Sequence, residues 1–134
     1  MAAGAFVFDS WAMMAFFEDA PAADQVAKLI IEAHRHNLPL LMSVVNAGEL
    51  WYIVARGYSE DDADRIIGEL ANLRVEVVIA DWALTKQAAQ YKAKGRIAYA
   101  DCFAAALARL RKAELVTGDR ELRRLENEVK FRWV

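Results

Sequence analysis

A chain of 134 residues with 57% hydrophobic and 27% charged side chains can bury one core without covalent staples, which excludes a disordered polypeptide. Its formal net charge of −2 gives polyanions no global attraction, so any contact with nucleic acid has to come from a local basic patch. The lone Cys102 excludes an internal disulfide and a cysteine zinc cage and fits a reducing cytoplasm, while the lack of a long apolar run or of a basic leader argues against membrane insertion and secretion.

Ala5-Phe6-Val7-Phe8 is a continuous apolar run ending at Asp9, the pattern of a buried strand. A short apolar segment to Phe17 follows, then a break at Glu18-Asp19-Ala20-Pro21. Val26, Leu29, Ile30 and Ala33 recur at helical spacing, so a helix is expected from about Ala22 to His36, closed by Asn37 and Pro39. Leu40-Leu41-Met42 is the second strand. Ser43 can cap a helix through Glu49 and Trp51 to Arg56, with Gly57 as a stop. Ser59-Glu60-Asp61-Asp62 has the form of a capping box and opens a helix with Ala63, Ile66, Ile67 and Leu70 on one face.

The third strand is expected over Val75 to Ile79, and Asp81 can cap a helix reaching about Lys92. Lys94-Gly95-Arg96 breaks the chain before a strongly helical stretch from Tyr99 to Lys112. Leu115-Val116-Thr117 is the fourth strand, stopped by Gly118-Asp119, and a short helical stretch runs from Arg120 to Leu125. Val129, Phe131 and Trp133 alternate with Lys130 and Arg132, the pattern of an edge strand with one wet face. Strands alternating with helices imply a mainly parallel sheet of about five strands covered on both sides, with ligands bound beyond the carboxyl ends of the strands.

Four acids stand out in that frame. Asp9 directly follows the first strand and Asp119 lies just beyond the fourth. Each could cap the helical segment after it, or belong to a site. Glu49 sits in mid-helix, in Val44-Val45-Asn46-Ala47-Gly48-Glu49-Leu50-Trp51, on a half-buried face with Asn46 and Ile53. A carboxylate there needs either water or a positive partner. Asp101 heads a helix whose next residues on the same face are Ala104, Ala105 and Ala108, a strip that permits close packing. The helix dipole would favour an acid at this place, and so would a metal. Converging carboxylates repel one another, and a hard divalent ion such as Mg²⁺ or Mn²⁺ relieves that repulsion.

At these residues the sequence resembles the PIN-domain family, and especially the VapC toxins of toxin–antitoxin pairs. The family's strand ending in Asp and Ser or Thr is matched by Phe8-Asp9-Ser10. Its helical Glu with an Asn three residues earlier is matched by Asn46-Ala47-Gly48-Glu49-Leu50. Its Asp heading an alanine-rich helix is matched by Asp101-Cys102-Phe103-Ala104-Ala105-Ala106, and its Thr-x-Asp by Thr117-Gly118-Asp119. Lys130-Phe131-Arg132-Trp133-Val134 is similar to its final strand. Trp11 is bulkier than the small residue often found at its place.

The resemblance implies a single PIN-like domain over residues 1–134, a three-layer α/β/α sandwich. It also implies a Mg²⁺- or Mn²⁺-dependent endoribonuclease in the cytoplasm. Asp9, Glu49, Asp101 and Asp119 would be its catalytic and metal-binding acids, and Ser10, Asn46 and Thr117 would support them. The implied partners are an RNA substrate, a VapB-like antitoxin and a second copy of the chain. Lys92, Lys94 and Arg96 are the candidate contacts to the RNA backbone, beside the reading of a solvated linker. Two rivals stand against this. One is a non-catalytic PIN-like RNA- or protein-binding module. The other is a phosphoacceptor or phosphatase-type α/β domain, disfavoured because Trp11 stands where a dehalogenase-type phosphatase needs a second acid. His34 and His36 do not share a helical face and read as surface residues, and Cys102 reads as a buried structural thiol.

Overall fold

The computed structural model describes residues 4–134. In chain order the elements are β1 (Phe6–Phe8), α1 (Ser10–Phe17), α2 (Ala23–His36), β2 (Leu40–Ser43), α3 (Val44–Gly57), α4 (Glu60–Asn72) and β3 (Val75–Val78). They continue with α5 (Trp82–Lys94), α6 (Tyr99–Arg111), β4 (Glu114–Thr117), a 3-10 helix (Arg120–Leu125) and β5 (Lys130–Trp133). The sheet has the order β3-β2-β1-β4-β5 and every pairing is parallel. β1 is central: Val7 lies opposite Leu41 on one side and Leu115 on the other.

Alternation along these buried strands divides the core in two. Phe6, Phe8, Leu40, Met42 and Val116 face α1 to α4, while Val7, Leu41 and Leu115 face α5 and α6. The result is the expected α/β/α sandwich. Ala104, Ala105 and Ala108 are fully buried, so α6 lies close against the sheet through its alanine strip.

The predicted caps form. The hydroxyls of Ser43 and Ser59 accept from the backbone N–H groups of Asn46 and Asp62, and the Asp81 carboxylate accepts from that of Leu84. Several boundaries shift for local reasons. Asn37 ends α2 in the left-handed region, as its small polar side chain allows. Lys112, expected inside α6, also turns left-handed and ends that helix at Arg111. α3 runs through Gly57 and closes at Tyr58, because Gly57 does not take the positive φ that makes a glycine stop. β3 ends at Val78, leaving Ile79 exposed.

β5 is an edge strand, but its outer face is not simply wet. Lys130 is exposed, whereas Arg132 lies half buried over the Phe6 ring and donates to Glu114 at 2.9 Å. The arginine head thus rests over a ring of the central strand while it stays paired with Glu114. No helix among the described residues is long and apolar enough to cross a membrane.

Candidate active site

Because all five strands are parallel, their carboxyl ends share one edge, and the chain leaves β1 and β4 there through Asp9 and Thr117-Gly118-Asp119. Asp9 is only 1% exposed. One of its oxygens accepts the N–H of Ala12 at 2.8 Å, and the other accepts the hydroxyl of Thr117. Thr117, fully buried, in turn accepts the N–H of Asp119 at 3.0 Å. A single hydroxyl thus ties two strand ends into one unit. Cap and cluster prove compatible: Asp9 caps α1 and Asp119 caps the 3-10 helix, while both stand at the acidic edge.

The helices bring the other two acids. Ser10 donates its hydroxyl to Glu49, linking α1 to α3. Asn46 is fully buried and donates its carboxamide N–H to the carbonyl of Ala100 at 3.0 Å. That bond docks α3 on the first turn of α6, next to Asp101, which is 7% exposed. The Asn46 carboxamide oxygen has no partner among the described residues.

The tightest grouping is not the predicted four. Carboxylate oxygens of Asp101, Asp119 and Glu121 lie within 4.8 Å of one another, while Asp9 and Glu49 stand outside that triad and act on it through space. Glu121 was not singled out from the sequence. Two residues apart on an α-helix diverge, but Asp119 is a cap and Glu121 lies in the first turn of a tighter 3-10 helix, which turns both carboxylates to one side. The acid two places after the Thr-x-Asp stretch was the available signal.

Burial is the main cause of the electrostatics. It pushes the Asp9 carboxyl up to about 7. Asp119 and Glu49 add repulsion, and the bonds from Thr117 and Ala12 pull the other way. Asp101 is pushed up to about 8, first by burial and then by the charges of Asp119, Asp9 and Glu49, with a side-chain hydrogen bond to Asp119 adding to the rise. The acids open into a cleft of about 530 Å³, whose lining includes Ser10, Trp11, Glu49, Asp101, Asp119 and Glu121. Asp9 lies behind them. Trp11 is 39% exposed and rests its indole on Gly118, where a β-carbon would come within 2.2–2.5 Å of three ring atoms. Glycine is required there by close approach.

None of Lys92, Lys94 and Arg96 lines this cleft. Lys92 donates to the carbonyl of Ile97 at 2.8 Å and so fastens the α5–α6 connection. Lys94 lines a separate concavity, and Arg96 is exposed. A ring nitrogen of His34 meets the Leu73 carbonyl at 2.7 Å, a surface contact, and Cys102 is buried. The arrangement offers an all-oxygen, anionic donor set whose charge is under-compensated, the chemistry that suits a hard divalent cation.

Among curated proteins, none matches the chain in sequence. Solved structures do match in fold. VapBC2 from Rickettsia felis, bound to a promoter DNA fragment, superposes with a TM-score of 0.76 at 16% identity, over 96% of this chain and 97% of that one. VapC20 of Mycobacterium tuberculosis, a toxin that cleaves the sarcin-ricin loop, gives 0.71 at 14% identity over 90% and 94%. VapBC-1 of nontypeable Haemophilus influenzae gives 0.70 at 19% identity over 95% and 96%. The PIN-domain family model matches residues 6–128, a span that holds the acids of the cleft and the first four strands, and the chain belongs to that family.

Proposed function

We propose that the chain is a metal-dependent endoribonuclease and the toxin of a VapBC-type pair, working as one PIN unit over residues 1–134. The observation that carries this is the convergence, at the strand ends of a PIN-family chain, of buried carboxyls pushed up to about 7 and 8. Such groups are costly without a cation. The donors fit Mg²⁺ or Mn²⁺. Asp101, Asp119 and Glu121 would hold it, with Asp9 and Glu49 completing the negative field. When bound, the ion supplies charge neutralisation and lowers the pKa of water.

The chain's own residues do the rest. Thr117 fixes Asp9 and the Asp119 backbone in one register, Ser10 orients Glu49, and Asn46 holds the helix of Glu49 against that of Asp101. Trp11 forms part of the cleft wall.

The partners in this reading are RNA, a VapB-like antitoxin and a second copy of the chain. The relatives named as VapBC complexes support the antitoxin. Exposed Val77, Ile79 and Trp82, on the edge strand β3 and its exit, support the second copy. The buried lone thiol of Cys102 supports a reducing cytoplasmic setting.

RNA cleavage is expected with added Mg²⁺ or Mn²⁺ and none after chelation, read on labelled RNA. Cleavage that survives thorough chelation sinks the mechanism, and a non-catalytic module would leave RNA whole at saturating metal. In cells, expression is expected to arrest growth, with rescue by a co-expressed antitoxin, while Asp9→Asn is harmless alone. Arrest by Asp9→Asn equal to wild type, at matched protein levels, separates toxicity from these acids.

A further inference from the structure

A second concavity lies behind the wall of the acidic cleft. Ile97 lines it where neighbouring Ala98 lines the cleft, and Arg124 lines it where Glu121 lines the cleft. It has a volume of about 370 Å³ and is bounded by Gln87, Tyr91 and Lys94 of α5, Arg109 of α6, and Arg124 and Glu128. Asp101 and Arg109 sit on the same helix, so at 1.5 Å per residue the two centres are about 12 Å apart along it.

The charge here is opposite to that of the cleft. Three cations surround one carboxylate in a chain whose net charge is −2. Glu128 pairs with Arg109, but both side chains are nearly half exposed, and such a pair is weak enough for an incoming anion to compete. Lys94 and Arg124 make no ion pair among the described residues. Tyr91 is 5% exposed, and the Arg109 guanidinium lies beside its hydroxyl as a donor, but the O–H has no acceptor among the described residues. An unsatisfied buried hydroxyl is costly, and a phosphate oxygen is the acceptor it lacks. Gln87 and Gln90 add amide donors at the rim.

We infer that this basic concavity binds the phosphate group of a nucleotide, and that in the RNA strand cut at the acidic cleft it holds a phosphate away from the scissile one. The RNA part of this statement rests on the nuclease reading; the phosphate part does not. The positive patch that a net-negative protein needs is then formed by Lys94, Arg109 and Arg124, from three elements, rather than by the run Lys92, Lys94 and Arg96.

The test uses Lys94→Gln/Arg124→Gln, both exposed and remote from the core, with the fold checked by circular dichroism. Lys28→Gln/Arg35→Gln, on exposed sites of α2, is the charge-matched control. Binding of a short single-stranded RNA is followed by anisotropy in chelator across a salt series, and binding of AMP by amide shifts at Lys94, Gly95 and Arg124. We expect RNA affinity to fall about tenfold, and the slope of log affinity against log salt to flatten by about 1.4, two contacts at roughly 0.7 each. The control should leave both unchanged. AMP shifts lost in the variant with RNA binding unchanged would assign the site to a free nucleotide. Unchanged RNA binding without AMP shifts, or equal losses in the control, overturns the inference. RNA left uncut with Mn²⁺, while the binding loss persists, rejects the nuclease reading and leaves the phosphate site standing.

Discussion

Asp101→Asn is expected to lower RNA cleavage by about two to three orders of magnitude, the loss of a few kcal/mol of charge stabilisation. The same change should raise the melting temperature of the metal-free protein at pH 8. The second effect follows from the direction of the shift. In the unfolded chain Asp101 releases its proton near 3.8; in the folded chain it does so at about 8. Below 3.8 both states are protonated and the group contributes nothing. Between about 4 and 8 the folded state holds a proton that the unfolded state has lost, so stability falls as pH rises through that window and stays low above it. Asp9 acts in the same sense up to about 7. Asparagine abolishes the Asp101 part of the slope. Melting curves in chelator from pH 5 to 8.5 should show wild type declining and the variant flatter and higher by roughly 5 °C at the alkaline end. Adding Mn²⁺ should restore the wild type and not the variant. A wild-type melting temperature that holds level or rises over this interval would contradict the burial of these carboxyls.

Gly118→Ala is expected to destabilise by about 1–3 kcal/mol, the cost of forcing a methyl into a filled contact. It should also reduce cleavage, because Gly118 sits between Thr117 and Asp119. The β-carbon would meet the Trp11 indole at 2.2–2.5 Å, so the ring must swing out of the cleft wall or the strand exit must shift. Gly118 does not have a positive φ, so the glycine is required by the indole alone. The double variant Trp11→Ala/Gly118→Ala should therefore lose no more stability than Trp11→Ala. Denaturant unfolding of the four proteins gives the coupling directly. A full penalty for Gly118→Ala in the Trp11→Ala background would place the constraint in the backbone instead. The unusual bulk of Trp11 and the glycine across from it are then one adaptation.

Most of the fold was legible because its signals are local. Ala5 to Phe8 is too apolar and too short to be anything but a buried strand, and Ser43, Ser59 and Asp81 announce their helices by side-chain chemistry that does not depend on distant residues. The strand-end positions of Asp9 and Asp119 followed from the same punctuation. Strand order was not legible, since nothing in Phe6-Val7-Phe8 says that β4 rather than β3 lies beside it. The site was legible as a set of acids and not as a geometry. Glu121 escaped because its side chain joins Asp101 only through a 3-10 turn, which hydrophobic periodicity does not reveal. That Arg109 and Arg124 share one concavity was not legible, because they are distant in sequence and meet only when α6 and the 3-10 helix are in place. Lys92 looked free in the sequence, and a backbone carbonyl five residues on takes it.

The bond between Thr117 and Asp9 spans 108 positions of chain. On a ribosome the first strand and Glu49 leave the exit tunnel long before Thr117, Asp119 and Glu121 have emerged from it. Until β4 arrives, β1 lacks one of its two neighbours and Asp9 lacks the hydroxyl that fixes it. Closing so long a loop is also slow compared with local helix formation. A half-made chain therefore carries only part of the acid cluster, and its first strand and Asp9 wait for β4 before the cluster can close.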